Sequence, residues 1–204
     1  RIGEICIIVC RRPFFFVFEN DHEVSRVHGH WIRRNFTASR FSHHFNDLWK
    51  VIQQNPLGLV AGSYVMCFHA TARAAKQWMP ERWIAIANQL SAKWLIFVFP
   101  WGNEVEKRAS EYLASKVPNA LVPRGFTVAE SFPLIAQAKL TIGVDTGFTH
   151  LSAILGKPTI ELYVDSPRWK TEGYWSERIV NLGDMKQAPS QVEVIAALNR
   201  LLEH

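Results

Sequence analysis

The sequence predicts an α/β protein, a parallel β-sheet with helices on both faces, on the strength of three observations. Short apolar runs of strand length recur from about residue 60 to the C-terminus. Longer stretches with helical periodicity separate them, and two open on a capping box, Thr127 with Glu130 and Ser190 with Glu193. Strands that alternate with helices are joined by crossovers, and crossovers pair strands in parallel and cover the sheet.

The first run, residues 64–68, reads as a buried strand that empties into a polar loop carrying Thr71, Arg73 and Lys76. Pro80 and Glu81 then open a helix over 80–92, because the fixed φ of proline suits the first helical position and no partner is needed there for an N–H. Residues 94–99 form the next strand, followed by Pro100, Trp101, Gly102 and Asn103 and a helix over 104–116. A short strand at 121–122 leads through the Thr127 box to a helix over 128–138. The strand 140–144 runs into Asp145, Thr146 and Gly147 and a helix over 147–155, which Gly156 followed by Lys157 and Pro158 stops. Strands over 159–164 and 178–182 flank a long loop, and a helix over 191–203 closes the pattern. That loop, from Asp165 to Trp175, reads as a functional segment or a cover for the sheet edge, outside the donor site.

Residues 1–58 read differently from residues 59–204. The aromatic cluster at Phe14–Phe16 and Phe18 and the basic stretch from His28 to Arg34 keep no steady period, and only one helix, near 45–53, is predicted there.

Composition bounds the function. The 204 residues are 48% hydrophobic, enough for one full core, and 23 Lys and Arg against 18 Asp and Glu give a net charge of +5. A basic balance suits an anionic ligand, an anionic membrane face or nucleic acid alike. No apolar run reaches the roughly 20 residues of a membrane-spanning helix. Nor does the N-terminus read as a secretory signal, because Arg11 and Arg12 split its apolar run, so a cytoplasmic location is expected. Cys6, Cys10 and Cys67 lack zinc spacing and read as reduced thiols. His22, His28, His30, His43 and His44 lack carboxylate partners at helical spacing and read as surface imidazoles, so no metal and no cofactor is expected.

Two segments carry chemistry. An apolar strand ending at Asp145, Thr146 and Gly147 presents the first amides of the next helix, and the positive end of its dipole, to an anion. His150 lies one turn further on, as a ligand contact or a helix-packing residue, and Asp145 or Thr146 can also cap the helix. The loop with Thr71, Arg73 and Lys76 follows another strand and adds a hydroxyl and two cations, which read blandly as solvated charges. In a parallel sheet both loops fall at the C-terminal edge, where one diphosphate can be held.

From Tyr64 onward the chain resembles the lipopolysaccharide heptosyltransferases of the ADP-heptose glycosyltransferase family. The likeness rests on H-A-T-A-R-A-A-K-Q-W from His69 to Trp78, on Pro100 to Asn103 with Glu106, and on V-D-T-G-F-T-H-L from Val144 to Leu151. It implies a Rossmann-like sheet, the C-terminal, donor-binding half of a GT-B glycosyltransferase. It also implies that Thr71, Lys76, Glu106, Asp145, Thr146, Gly147 and His150 line the site for ADP-heptose. Ala72 stands where a second threonine is common, so one phosphate hydroxyl is lost.

The implied reaction is inverting transfer of heptose to the Kdo region of lipid A, peripheral on the inner face of the inner membrane. Lys76 would stabilise the leaving ADP. Glu106 reads as an acceptor for ribose hydroxyls or as a solvated helix-start charge, and Phe126 as an adenine platform or a core residue. The family's N-terminal domain, which carries the general base, has no counterpart in residues 1–58, so the 204 residues together are expected to bind donor without transferring heptose. Were they active alone, Glu161, Asp165 and Glu172 would be the candidate bases. Two other readings stay open at this point: another nucleotide-sugar enzyme of the same architecture, such as an epimerase, and a basic nucleic-acid-binding module, though the tryptophans fall mostly within the α/β pattern.

Overall fold

The computed structural model describes residues 55–90 and 93–203, together with the backbone of residues 5–6, 17–18, 26–27 and 30–31. The chain divides into two compact units, Arg1–Lys50 and Val51–His204. In the first unit β1 (Ile5–Cys6) pairs antiparallel with β2 (Val17–Phe18), and β3 (Arg26–Val27) with β4 (His30–Trp31). These two-residue ladders are too short to leave a period in the sequence. The helix predicted near 45–53 lies outside the described residues.

The second unit alternates strand and helix throughout. Its elements are β5 (Tyr64–Phe68), α1 (Pro80–Leu90), β6 (Ile96–Val98), α2 (Glu104–Ala114), β7 (Ala120–Leu121) and α3 (Val128–Gln137). β8 (Leu140–Val144), α4 (Gly147–Ile154), β9 (Thr159–Tyr163), β10 (Ile179–Gly183) and α5 (Gln191–Leu202) follow. All five strand pairings are parallel, in the order β10-β9-β8-β5-β6-β7. This is the doubly wound arrangement, with the direction of winding reversed between β5 and β8.

The two-residue period of the strands sorts their side chains between two layers. Val65 and Cys67 of β5, Ile142 of β8, and Ile160 and Leu162 of β9 join a core with Trp83 and Ile86 of α1 and Leu198 of α5. The alternate positions, among them Tyr64, Met66, Glu161 and Tyr163, are equally buried and turn the other way, toward the layer of α3 and α4. Burial on both faces is why these strands read as nearly continuous apolar runs.

Boundaries differ from expectation by a few residues. Trp94 takes a left-handed φ of 57° and is 87% exposed, so β6 begins only at Ile96. Both capping boxes form, and α4 ends on Gly156 at φ 71°, whose amide reaches Ala153 O at 3.1 Å while the amide of Lys157 reaches Ser152 O at 3.1 Å. The loop after β5 carries a turn of 3-10 helix at Ala74–Lys76, and the long loop after β9 another at Arg168–Lys170.

Candidate functional site

Parallel pairing places every strand's exit at one edge. The loops after β5, β7 and β8 there carry Lys76, Phe126 and Asp145, and the first turn of α2, which follows β6, carries Glu106. At the winding reversal, Lys76 Nζ meets Asp145 Oδ2 at 2.5 Å, with 17% and 9% of the two side chains exposed. The two motifs singled out in the sequence therefore touch. The 3-10 turn makes this possible by turning Lys76 out of a loop whose Arg73 is exposed and whose Thr71 is half-buried.

Asp145 is a hub and not a helix cap. Its Oδ1 also faces His150 Nε2 at 2.9 Å and accepts from Thr171 Oγ1 at 3.2 Å. The N-cap of α4 is Thr146, in extended backbone, without a side-chain cap bond; its hydroxyl lies 3.2 Å from Thr149 Oγ1. The reading of Asp145 as a cap is thus corrected: two cations claim the carboxylate and leave the first amides of α4 to other partners. Burial opposes charge on Asp145, but the bonds from His150 and Lys76 win and hold its carboxyl below the usual carboxylate range.

His150 is doubly engaged. Its Nδ1 lies 3.2 Å from Glu161 Oε1, and Glu161 Oε2 accepts from Tyr163 O–H at 2.8 Å and from Gly173 N–H at 3.4 Å. Burial lowers the imidazole pKa, yet the bonds to Asp145 and Glu161 outweigh it and push the value up to about 9. Burial and the nearby Glu161 charge keep the Tyr163 hydroxyl protonated far above the ordinary tyrosine range, as a donor must be.

Two glycines shape the approach to α4. A Cβ on Gly143 would collide with Thr149 and come within 3.0 Å of Phe68 Cβ, so the bare backbone of β8 is what lets Thr149 reach Val144 O at 2.8 Å. Gly147 is different. A Cβ there would meet nothing within 4 Å, and its φ is not left-handed, so neither packing nor backbone geometry requires a glycine. A small residue at an open helix start is what close approach of an anion requires.

On the rim, Glu106 Oε2 accepts from Gly102 N at 2.7 Å, and Asn103 caps α2 through Val105 N and Glu106 N. Glu106 is therefore neither a free solvated charge nor unengaged: one oxygen fixes the loop after β6. Trp101 Nε1 donates to Pro123 O at 2.8 Å, which ties that loop to the segment before half-buried Phe126.

A profile described as glycosyltransferase family 9 (heptosyltransferase) matches residues 32–199. The chain belongs to this family. Among curated proteins, this family 9 chain is 30% identical over 129 residues to lipopolysaccharide heptosyltransferase 1 of Escherichia coli, a match over 59% of the chain and 38% of that protein. It is 28% identical over 126 residues to the Pseudomonas aeruginosa enzyme of the same name, over 62% of the chain and 36% of that protein. Among solved structures it resembles the E. coli heptosyltransferase WaaC with ADP-2-deoxy-2-fluoro heptose, at a TM-score of 0.60 and 26% identity over 72% of the chain and 45% of WaaC. The family 9 chain thus spans less than half the length of these relatives.

Sequence reasoning missed two participants and gave a third, Glu161, another role. Thr171 and Gly173 come from the loop assigned outside the site, and they touch Asp145 and Glu161. Glu161 was legible: a carboxylate inside Thr-Ile-Glu-Leu-Tyr, a strand otherwise fit for complete burial, needs a charged partner, and His150 is the one within reach. As a candidate base it is corrected, because both of its oxygens are occupied in the interior; Glu172 pairs with Arg168 at 3.0 Å.

Proposed function

We propose that this chain binds ADP-heptose at the C-terminal edge of its sheet and supplies the donor side of an inverting heptosyltransferase of lipopolysaccharide core assembly. The observation that carries the reading is the junction at the winding reversal, where Lys76 is held by Asp145 beside the uncapped start of α4 at Gly147. WaaC, the relative solved with an ADP-heptose analogue, supports ADP-heptose as the ligand class.

Attack by an acceptor hydroxyl on the anomeric carbon breaks its bond to the diphosphate, and negative charge accumulates on departing ADP. Lys76 contributes a point charge, Thr71 and Thr146 hydroxyls, and α4 its first amides and dipole. Removing one preorganised donor of this kind costs about 3–4 kcal/mol of transition-state stabilisation in a well-studied hydrolase. Glu106, fixed on Gly102, is the acceptor for ribose hydroxyls, and Phe126 borders the base. The acceptor is the Kdo region of lipid A at the inner face of the inner membrane, and the base that deprotonates it comes from an N-terminal domain of the family type.

The experiment is calorimetry of ADP, UDP and ADP-heptose against these 204 residues, followed by transfer of labelled heptose to Kdo-lipid A. ADP and ADP-heptose bind and UDP binds at least tenfold more weakly, roughly 1.4 kcal/mol. Transfer requires the acceptor-side domain in cis. Tighter binding of UDP would move the chain to another nucleotide-sugar activity, and turnover without that domain would place a base among these residues.

A further inference from the structure

β9 carries one carboxylate, Glu161, amid five fully buried positions. A charge in that place is stable only if paired and hydrogen-bonded. Its partners are His150 Nδ1, Tyr163 O–H and Gly173 N–H, and the far nitrogen of the same imidazole lies on Asp145, which holds Lys76. Charges of alternating sign therefore run from the interior to the strand edge: Glu161, His150, Asp145, Lys76. An imidazole with a carboxylate oxygen at each nitrogen donates from both only as the cation.

Resting on the donor-site reading above, we propose that Glu161 is a positioning residue: its carboxylate locks His150 as a doubly donating cation, and that cation fixes the Asp145 carboxylate against Lys76. His150 is then a fixed charge and carries no proton during transfer. The two groups in ion-pair contact with this imidazole are both carboxylates. Asp145 approaches from the end of β8 and Glu161 from β9; behind them stand Lys76 from the loop after β5 and the Tyr163 hydroxyl from β9. Tyr163 and Gly173 both donate to Glu161, which keeps it the acceptor, and the Gly173 carbonyl is in turn held by Asn181 Nδ2 at 2.5 Å.

The test is imidazole NMR of the full chain across pH, joined to ADP titrations of the parent, Glu161→Gln and Glu161→Asp. In the parent His150 stays protonated on both nitrogens through about pH 8, well above the range of a free histidine. Glu161→Gln keeps shape and loses charge, so the His150 titration drops by about 1–2 pH units. Its ADP affinity then falls about tenfold between about pH 6 and about pH 8, where the parent changes little. Glu161→Asp keeps the charge and the flat profile. A parent His150 that titrates like a free histidine overturns the proposal whatever the variants do. So does a flat profile in Glu161→Gln with loss in Glu161→Asp, because shape and not charge would then be what Glu161 supplies. Failure of the parent to bind ADP would sink the donor reading alone, since the imidazole titration still decides the role of Glu161.

Discussion

Lys76 and Asp145, 69 positions apart in the chain, meet at 2.5 Å across the point where the sheet reverses its winding. The pair holds the ammonium at the strand edge, yet the Asp145 charge offsets part of its field. His150 restores the balance from the other side, so Lys76, Asp145 and His150 together carry one positive charge, whose counterpart, Glu161, lies in the interior behind His150. The two acidic and basic partners therefore respond differently to removal.

Lys76→Ala takes away a charge-assisted contact, and ADP affinity falls by roughly 1–3 kcal/mol. Stability changes little, because Asp145 keeps its bonds to His150 and Thr171. Asp145→Ala instead leaves two cations facing each other in a largely enclosed site, a loss of about 3 kcal/mol. Calorimetry and denaturant melts of both variants check this. Equal ADP affinity in Lys76→Ala and the parent would remove the loop after β5 from the phosphate site.

Two glycines four residues apart separate folding from binding. Gly143→Ala drives a methyl into Thr149 and Phe68, and overpacking of that kind costs about 1–3 kcal/mol. Gly147→Ala meets no neighbour and keeps or slightly raises the melting temperature. Its effect appears only with ligand, as weaker ADP binding, since the methyl stands at the open start of α4. Unchanged ADP affinity in Gly147→Ala would show that phosphate does not approach there.

Most of the second unit was legible in the sequence because its signals are local. Both capping boxes, Pro80 at a helix start and Gly156 at a helix stop fix their elements within a turn of chain. The pairing of Lys76 with Asp145 was only half legible: parallel topology brings both loops to one edge, but contact depends on a 3-10 turn whose three residues carry no periodic signal. Thr171 was hidden for the opposite reason. Its loop has no regular structure beyond the turn at Arg168–Lys170, and its place is set by long-range bonds such as Arg168 N to Asp184 Oδ1 at 3.0 Å and Thr171 to Asp145.

Two histidines, His69 buried and His150 partly buried, give stability a maximum in pH. Burial pushes His69 down to about 4 against a weaker opposing bond to the Pro100 carbonyl, so the folded chain keeps it neutral while the unfolded chain protonates near 6.5. Below that value the unfolded state binds more protons, and stability falls as pH drops toward 4. His150 behaves in the reverse sense. Its contribution is fully present below 6.5 and is lost as pH rises through about 9. Scanning calorimetry should find the highest melting temperature near neutrality, with His69→Gln flattening the acid limb and His150→Gln the alkaline one. A melting temperature that climbs steadily from about pH 6.5 to about pH 8.5 would contradict the charged state assigned to His150.

ADP should stabilise the chain without a divalent metal. A nucleotide enzyme that uses Mg²⁺ holds it with one or two carboxylates beside the phosphates, and those carboxylates need free oxygens. Three carboxylates near this edge are committed elsewhere. Asp145 is engaged by Lys76, His150 and Thr171, Glu161 by His150, Tyr163 and Gly173, and one oxygen of Glu106 by the Gly102 amide. Among the described residues no group of three His, Cys, Asp or Glu side chains is placed to hold a metal ion. On the proposed donor reading, diphosphate charge is met by Lys76 and by the α4 amides and dipole, which act without a metal. The melting temperature of the chain with ADP should rise equally in EDTA and in Mg²⁺, and Lys76→Ala should shrink the shift in both. A shift abolished by EDTA and restored by Mg²⁺ would mean that a carboxylate leaves its partner to take up the ion, with Asp145 the first to examine by imidazole NMR of His150.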